Sequence, residues 1–128
     1  MQNLLKIILL DFDRFILLSN IINLLMAKIH PIIKKICNAE KGTYIIFFVD
    51  ECPYCQKALE LIRSKNINYK GYDIHHIKGD MPKLLKVLNN NAALIKFNTF
   101  HTTKPIIFLD CQFIGGYDDL VKHFKQNL

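Results

Sequence analysis

The chain has 128 residues, is 51% hydrophobic and carries a formal net charge of +6, which suits one domain with a proper core plus an appendage. Its four cysteines are too few and too unevenly spaced for a secreted disulfide scaffold. The basic excess is spread out, five Lys/Arg against three Asp/Glu in residues 1–40 and twelve against eight in 41–128, so it reads as a solvated surface and not as the concentrated, aromatic-interleaved patch of a nucleic-acid binder.

In residues 1–30 apolar side chains recur at Leu4, Ile8, Phe12, Phe15, Leu18, Ile22, Leu25 and Ile29, the three-and-four spacing of a helix face. Asp11 is placed to cap a helix beginning at Phe12, and Pro31 to end it at about His30. The apolar run over 15–27 holds Asn20 and Asn23 and falls short of the about 20 residues of a membrane span; no small-residue cleavage site follows Leu25. The favoured reading is an apolar helical extension, residues 1–30, packed on the protein or on a partner. An anchor or signal segment is the second reading, and a dimer contact or membrane surface remains open because the helix is apolar on more than one side.

A domain follows over 31–128. "PIIKKICNAEKG" predicts a short helix with Pro31 first and Gly42 just past its end. Residues 43–49 are a continuous β-branched and aromatic run, the pattern of a strand buried on both faces. Pro53 opens a helix to about Lys65, with Ala58, Leu59, Leu61 and Ile62 on its apolar side. Residues 67–74 predict a strand. Asp80 is read as the cap of a helix starting Met81-Pro82 and broken by the run Asn89-Asn90-Asn91. Two short strands then meet at a tight turn, Asp110-Cys111, and residues 117–126 form a last helix with Asp118 and Asp119 at its positive end. Strand–helix–strand implies a parallel pair, and the closing hairpin an antiparallel one.

The chemistry concentrates in "CPYC", residues 52–55. Cys52 follows a buried strand at the start of a helix, where unpaired backbone N–H groups and the helix dipole favour a thiolate. Pro53 suits the first helical position because its missing N–H would have had no partner there. Cys55 is on the same side of that first turn and should be more buried and less acidic, so Cys52 attacks and Cys55 resolves. Structural zinc needs four ligands, and there is no second Cys pair; His75, His76 and His101 are candidates only as histidines. A structural disulfide across so short a loop gains little. Redox chemistry is the favoured reading of the three. Cys37 and Cys111 read as ordinary buried or turn cysteines, with Cys111 exposed enough for glutathionylation.

"CPYC" (52–55), "TKP" (103–105) and "IGGYDDL" (114–120) stand in the order and approximate spacing found in glutaredoxins. The chain resembles a dithiol glutaredoxin from about residue 31 to 128, and its extension and composition resemble viral glutaredoxins of large DNA viruses. The resemblance implies a thioredoxin-like α/β fold, a four-stranded mixed sheet flanked by helices. It implies glutathione-dependent reduction of protein disulfides and glutathione mixed disulfides, with Cys52 as nucleophile and Cys55 as resolving thiol, the two forming the redox-active disulfide. Glutathione would be a co-substrate, with no tightly bound cofactor and no metal; glutathione reductase and NADPH would act downstream. The glutathione-binding residues would be Tyr54, Thr103, Lys104, Pro105 (as a cis-proline), Gly116, Tyr117 and Asp118. Partners would be disulfide-bonded or glutathionylated proteins, without nucleic acid, in the cytoplasm, with a virion or membrane-tethered location as alternatives. A [2Fe–2S] carrier or sensor, built from two Cys52 thiolates and two glutathiones, is the other function class; the proline of "CPYC" weighs against it. A disulfide oxidant in an oxidising compartment is a third, which would require export by residues 1–27.

One departure matters. Many members carry Lys or Arg three residues before the first cysteine, whereas this chain has Val49, followed by Asp50 and Glu51. Nearby carboxylates oppose a thiolate and repel an anionic peptide. Glutathione should bind more weakly than to a lysine-bearing relative unless Lys57 and Lys104 compensate, and Val49→Lys is expected to raise kcat/KM for glutathione several-fold. Steady-state kinetics at varied glutathione checks this; an unchanged value refutes the electrostatic argument.

Overall fold

The computed structural model describes residues 2–126, apart from the side chains of 2–5, 7–9 and 26. It divides into two compact units, Met1–His30 and Pro31–Leu128. The first is one helix, α1 (Gln2–Lys28). The expected cap at Asp11 is therefore corrected: "DFDR" continues the helix, since none of its residues breaks helical geometry and its charged side chains Asp11, Asp13 and Arg14 are exposed to water. Large apolar side chains along α1 are also exposed, among them Leu10, Phe12, Phe15, Leu18, Ile22 and Leu25. Leu4 and Ile8 of the predicted stripe have side chains outside the described set. Among the described residues no helix is long and apolar enough to cross a membrane.

The second unit is built around β1 (Tyr44–Phe48), which pairs in parallel with β2 (Tyr69–Asp73) and antiparallel with β3 (Ile106–Leu109); β4 (Gln112–Gly115) closes the sheet in the order β2-β1-β3-β4. An interior strand covered on both faces needs apolar side chains at every position, which is why 44–48 reads as an unbroken run. Period-two alternation sends Tyr44 and Ile46 to one face, where they pack with Ala58, Leu59, Ile62, Ile107 and Leu120. Those residues come from α3 (Pro53–Ser64), β3 and α6 (Tyr117–Gln126). Ile45 and Phe47 face the other way. There Phe47 meets Tyr72 and Phe108 at ring distances of 5.6 and 6.1 Å, and Lys35 of α2 (Pro31–Cys37) lies 4.8 Å above Tyr72. On this face α2 packs against α4 (Asp80–Asn90), and the short α5 (Ala92–Ile95) follows after Asn91, where the asparagine run interrupts the helix.

Three local expectations need correction. The helix from Pro31 stops at Cys37 and not near Gly42, because residues 38–42 turn to enter β1. Asp80 is not the cap of α4: Gly79, at φ 90°, holds that position, and the Asp80 carboxylate accepts from Met81 N–H at 2.7 Å. Cys37 and Cys111 are not separate cysteines but one disulfide, with Cα atoms 4.3 Å apart and a sequence separation of 74. The end of α2 and the β3–β4 turn meet only in the folded chain, so spacing along the sequence carries no trace of the pair.

Ile107 sits opposite Ile46 in the β1–β3 ladder and is fully buried between α3 and α6. Ile107→Ala leaves a cavity that close-packed neighbours fill only in part and is expected to cost about 2–5 kcal/mol. Urea denaturation checks this, with the midpoint falling and the slope unchanged.

Candidate active site

Cys52 is the cap residue of α3, with extended backbone angles of −85° and 115°, and Pro53 follows in the first turn. The end of β1 delivers it there through a turn closed by Cys52 N–H to Val49 O at 3.3 Å. Its sulfur takes the place of a capping oxygen: the Cys55 N–H donates to Cys52 Sγ at 3.3 Å. In the thiol form Cys52 donates to the Lys104 carbonyl at 3.7 Å, which ties α3 to the segment before β3. Cys52 is half-buried, while Cys55 is fully buried. Burial, then the hydrogen bond and charge of Cys52, push the Cys55 thiol up to about 12, against opposing pulls from the Val49 backbone and Lys104. One sulfur is half-buried with the Cys55 N–H aimed at it; the other is held protonated behind it.

The Lys104–Pro105 peptide bond is cis. Tyr54, Thr103, Lys104, Gly116, Tyr117 and Asp118 line one cleft of 420 Å³ together with His101 and Asp119. Pro105 is buried. Three stretches far apart in sequence meet here because β3 starts just after Pro105 and β4 ends just before Gly116, while β1, paired to β3, ends at the cysteine loop. Gly115 (φ +133°) has no room for a side chain, since a Cβ would collide with the Asp119 carboxylate. The Gly116 N–H donates to Asp119 Oδ2 at 3.1 Å, a carboxylate reaching back to the start of α6. Asp118 is left exposed at the cleft. Tyr54 and Tyr117 lie 6.2 Å apart, and Lys57 Nζ is 5.4 Å from the Tyr54 ring. A larger hollow of 520 Å³ beside α3 and β2 contains neither cysteine.

Sequence reasoning missed three of these neighbours. Asp119 was legible only as a helix-start charge. His101 packs edge-on to Phe97 and Phe113 at 6.3 and 5.0 Å with Nε2 buried and unpartnered; nothing in its sequence context signals that. His75 lies beside the cysteine loop, Nε2 at 3.5 Å from Glu51 and Nδ1 at 2.9 Å from Asp80, so one of the two carboxylates flanking Cys52 has a cationic partner when His75 is protonated. Val49, three residues before Cys52, is buried at 3% exposure, and a lysine there reaches solvent only by extending along its stem. Among the described residues no three His, Cys, Asp or Glu side chains converge as a metal-binding group.

A strand that leads through a tight turn to an N-capping cysteine, with a second cysteine one turn later, is the arrangement of a thiol–disulfide oxidoreductase of the thioredoxin-like fold. The glutaredoxin family model matches residues 44–114. A probable glutaredoxin of Acanthamoeba polyphaga mimivirus is 54% identical over 93 residues, 73% of this chain and 88% of that protein. Among solved structures, glutaredoxin 1 from Francisella tularensis complexed with cacodylate superposes with a TM-score of 0.56 at 25% identity, over 66% of this chain and 94% of that one. A buckwheat glutaredoxin–glutathione complex gives 0.52 at 18% identity, over 66% and 69%. The chain belongs to the glutaredoxin family.

The Asp80 hydrogen bond, then the charges of Asp80, Glu51 and Asp73, raise His75 above its ordinary 6.5. The His75 hydrogen bond and the Met81 N–H lower Asp80 below 3.8. The bridge is therefore complete below pH 6.5, is lost as pH rises through the raised His75 value, and fails on the acid side only as pH falls through the depressed Asp80 value. Imidazole NMR shifts are expected to place the His75 midpoint above 6.5, and Asp80→Asn to bring it down; a midpoint unmoved by that substitution contradicts the assignment.

Proposed function

We propose that the chain reduces protein disulfides and glutathione mixed disulfides at the expense of glutathione, with Cys52 as nucleophile and Cys55 as resolving thiol. The observation that carries this reading is that the segments around Tyr54, Lys104 and Gly116 line a single cleft next to Cys52. The glutathione bound by the buckwheat relative supports the same ligand.

For a mixed disulfide, Cys52 thiolate attacks the glutathione sulfur and the substrate thiolate leaves with a proton. A second glutathione thiolate then attacks the Cys52–glutathione bond, releasing oxidised glutathione and restoring Cys52. For a protein disulfide, Cys52 forms the mixed disulfide, Cys55 loses its proton and attacks the Cys52 sulfur, and the reduced dithiol leaves. Two glutathiones then reopen the Cys52–Cys55 disulfide. Two of the influences that hold Cys55 protonated, the hydrogen bond and charge of Cys52, vanish once Cys52 is consumed in the mixed disulfide. Resolution is thereby timed to follow attack.

The γ-glutamyl end and the cysteinyl backbone of glutathione each have a chemical counterpart in the cleft. The γ-glutamyl carboxylate suits the open N–H groups of the first turn of α6, and its ammonium suits exposed Asp118. The cysteinyl backbone would lie along Lys104, whose carbonyl already faces Cys52.

A coupled assay with glutathione, a small glutathione mixed disulfide, glutathione reductase and NADPH tests the proposal. Wild type should turn over and Cys52→Ser should not. Cys55→Ser should retain reduction of the small mixed disulfide and lose reduction of a protein disulfide. A Cys55→Ser chain that loses both reactions contradicts the division of labour, and an inactive, folded, reduced wild type contradicts the proposal itself.

A further inference from the structure

The Cys37–Cys111 disulfide is outside the cleft and plays no part in the chemistry above. Its position in the fold is specific. Cys37 ends α2, and Cys111 is the second residue of the two-residue β3–β4 turn. Asp110 and Cys111 both sit in left-handed backbone, at φ 50° and 66°, the conformation of the turn type that favours Asn-Gly or Asp-Gly. Asp110 tolerates it, and its Oδ1 accepts from the Gly42 N–H at 2.8 Å. A cysteine at the second position is poorly suited to that backbone, where glycine has no Cβ penalty. The cost is offset by what the side chain does there, which is to bond to α2. The turn is thus tied twice to the stretch entering β1, through Gly42 and through Cys37.

The tied hairpin also carries the site. Its strands start directly after Pro105 and end directly before Gly116, so the disulfide fixes the far end of the element whose near end lines the cleft. The two sulfurs are held together by packed elements: Ile33 and Ile36 of α2, and Phe108 of β3, are buried at 1% exposure or less. If the bond opens, both thiols remain in place to reform it. A loop of this length also removes much more freedom from the unfolded chain than a four-residue one.

We propose that Cys37–Cys111 is a second disulfide of opposite character to the Cys52–Cys55 pair: a staple of the hairpin that survives glutathione in the folded protein. Its reduction would take two electrons from two thiols, giving Cys37 and Cys111 thiols and one oxidised glutathione. The geometry opposes this step because the first mixed disulfide leaves the freed thiol beside the bond it has just lost.

The test does not depend on the glutathione-reduction reading, since it reads thiols and stability instead of turnover. The full native chain is equilibrated with excess reduced glutathione, alkylated, digested and weighed by mass spectrometry. Expected are an adduct on the accessible Cys52 and an intact Cys37–Cys111 cross-linked peptide that opens only with denaturant and a phosphine. Loss of the cross-linked peptide, with adducts on Cys37 and Cys111 in the native chain, overturns the proposal. Independently, Cys111→Gly relieves the backbone cost but removes the staple, and should lower Tm by on the order of 15 °C. In a Cys37→Ala background, where no staple exists, the same substitution should raise Tm. A rise in the otherwise wild-type chain overturns the proposal; the alkylation result stands whether or not any variant folds.

Discussion

A helix start has backbone N–H groups that no residue of the helix can satisfy, and the site depends on giving one of them a sulfur. The Cys55 N–H to Cys52 Sγ contact of 3.3 Å sets the direction of the Cys52 side chain, brings Cys55 behind it, and requires a strand that stops just before the helix begins. The apolar β1, paired on both edges and covered on both faces, makes that delivery rigid. Proline at the next position removes a donor that would otherwise be unpaired. The asymmetry between the cysteines follows from the same turn: one caps the helix and faces the cleft, while the other points inward and is buried.

The opposite wall of the site comes from antiparallel pairing. Because β3 runs against β1, the residues before β3 lie beside the residues after β1, and Lys104 O reaches Cys52 Sγ at 3.7 Å. Because β4 returns alongside β3, Gly116 and the start of α6 come back to the same edge. A one-residue slip in this hairpin would turn every inward side chain outward and separate the cleft residues from the cysteines. The turn at Asp110-Cys111 is where such a slip is resisted, by a hydrogen bond to Gly42 and a disulfide to Cys37.

What could be read from the sequence follows the range of the interactions. Continuous apolar runs, a proline after a cysteine and a tight turn between β-branched stretches are local signals, and they located β1, α3, the hairpin and the short motifs of the cleft. The interruption at Asn91 was local too. The Cys37–Cys111 bond, the His75 bridge to Glu51 and the aromatic seat of His101 are contacts between segments whose meeting depends on the whole sheet. No spacing encodes them. Asp11 and Asp80 failed for another reason: both are good capping residues, but α1 has no break before Asp11, and Gly79 adopts the left-handed geometry that α4 needs one residue earlier. The Val49-Asp50-Glu51 turn looked hostile to a thiolate because its partners were invisible; with His75 near Glu51 and Lys57 beside Tyr54, the local field is less negative than a count of charges suggests.

The chain thus holds two cysteine pairs whose thermodynamics differ through loop length. Closing the four-residue loop of Cys52–Cys55 restricts the unfolded chain by only about 2 kcal/mol, whereas a bond across a separation of 74 restricts it by about 4.5 kcal/mol on the same chain-entropy scale. A disulfide between the short pair would therefore draw little of its stability from folding, and the proposed cycling would not endanger the fold. The long pair draws much more from it. Burial acts in the same sense on the short pair: the Cys55 thiol, pushed up to about 12, favours the dithiol, and in the proposed mechanism it attacks only when Cys52 carries a leaving group in a mixed disulfide. Under the proposed activity, a chain that repeatedly breaks sulfur–sulfur bonds keeps one of its own only where folding, and not thiol chemistry alone, sets the balance.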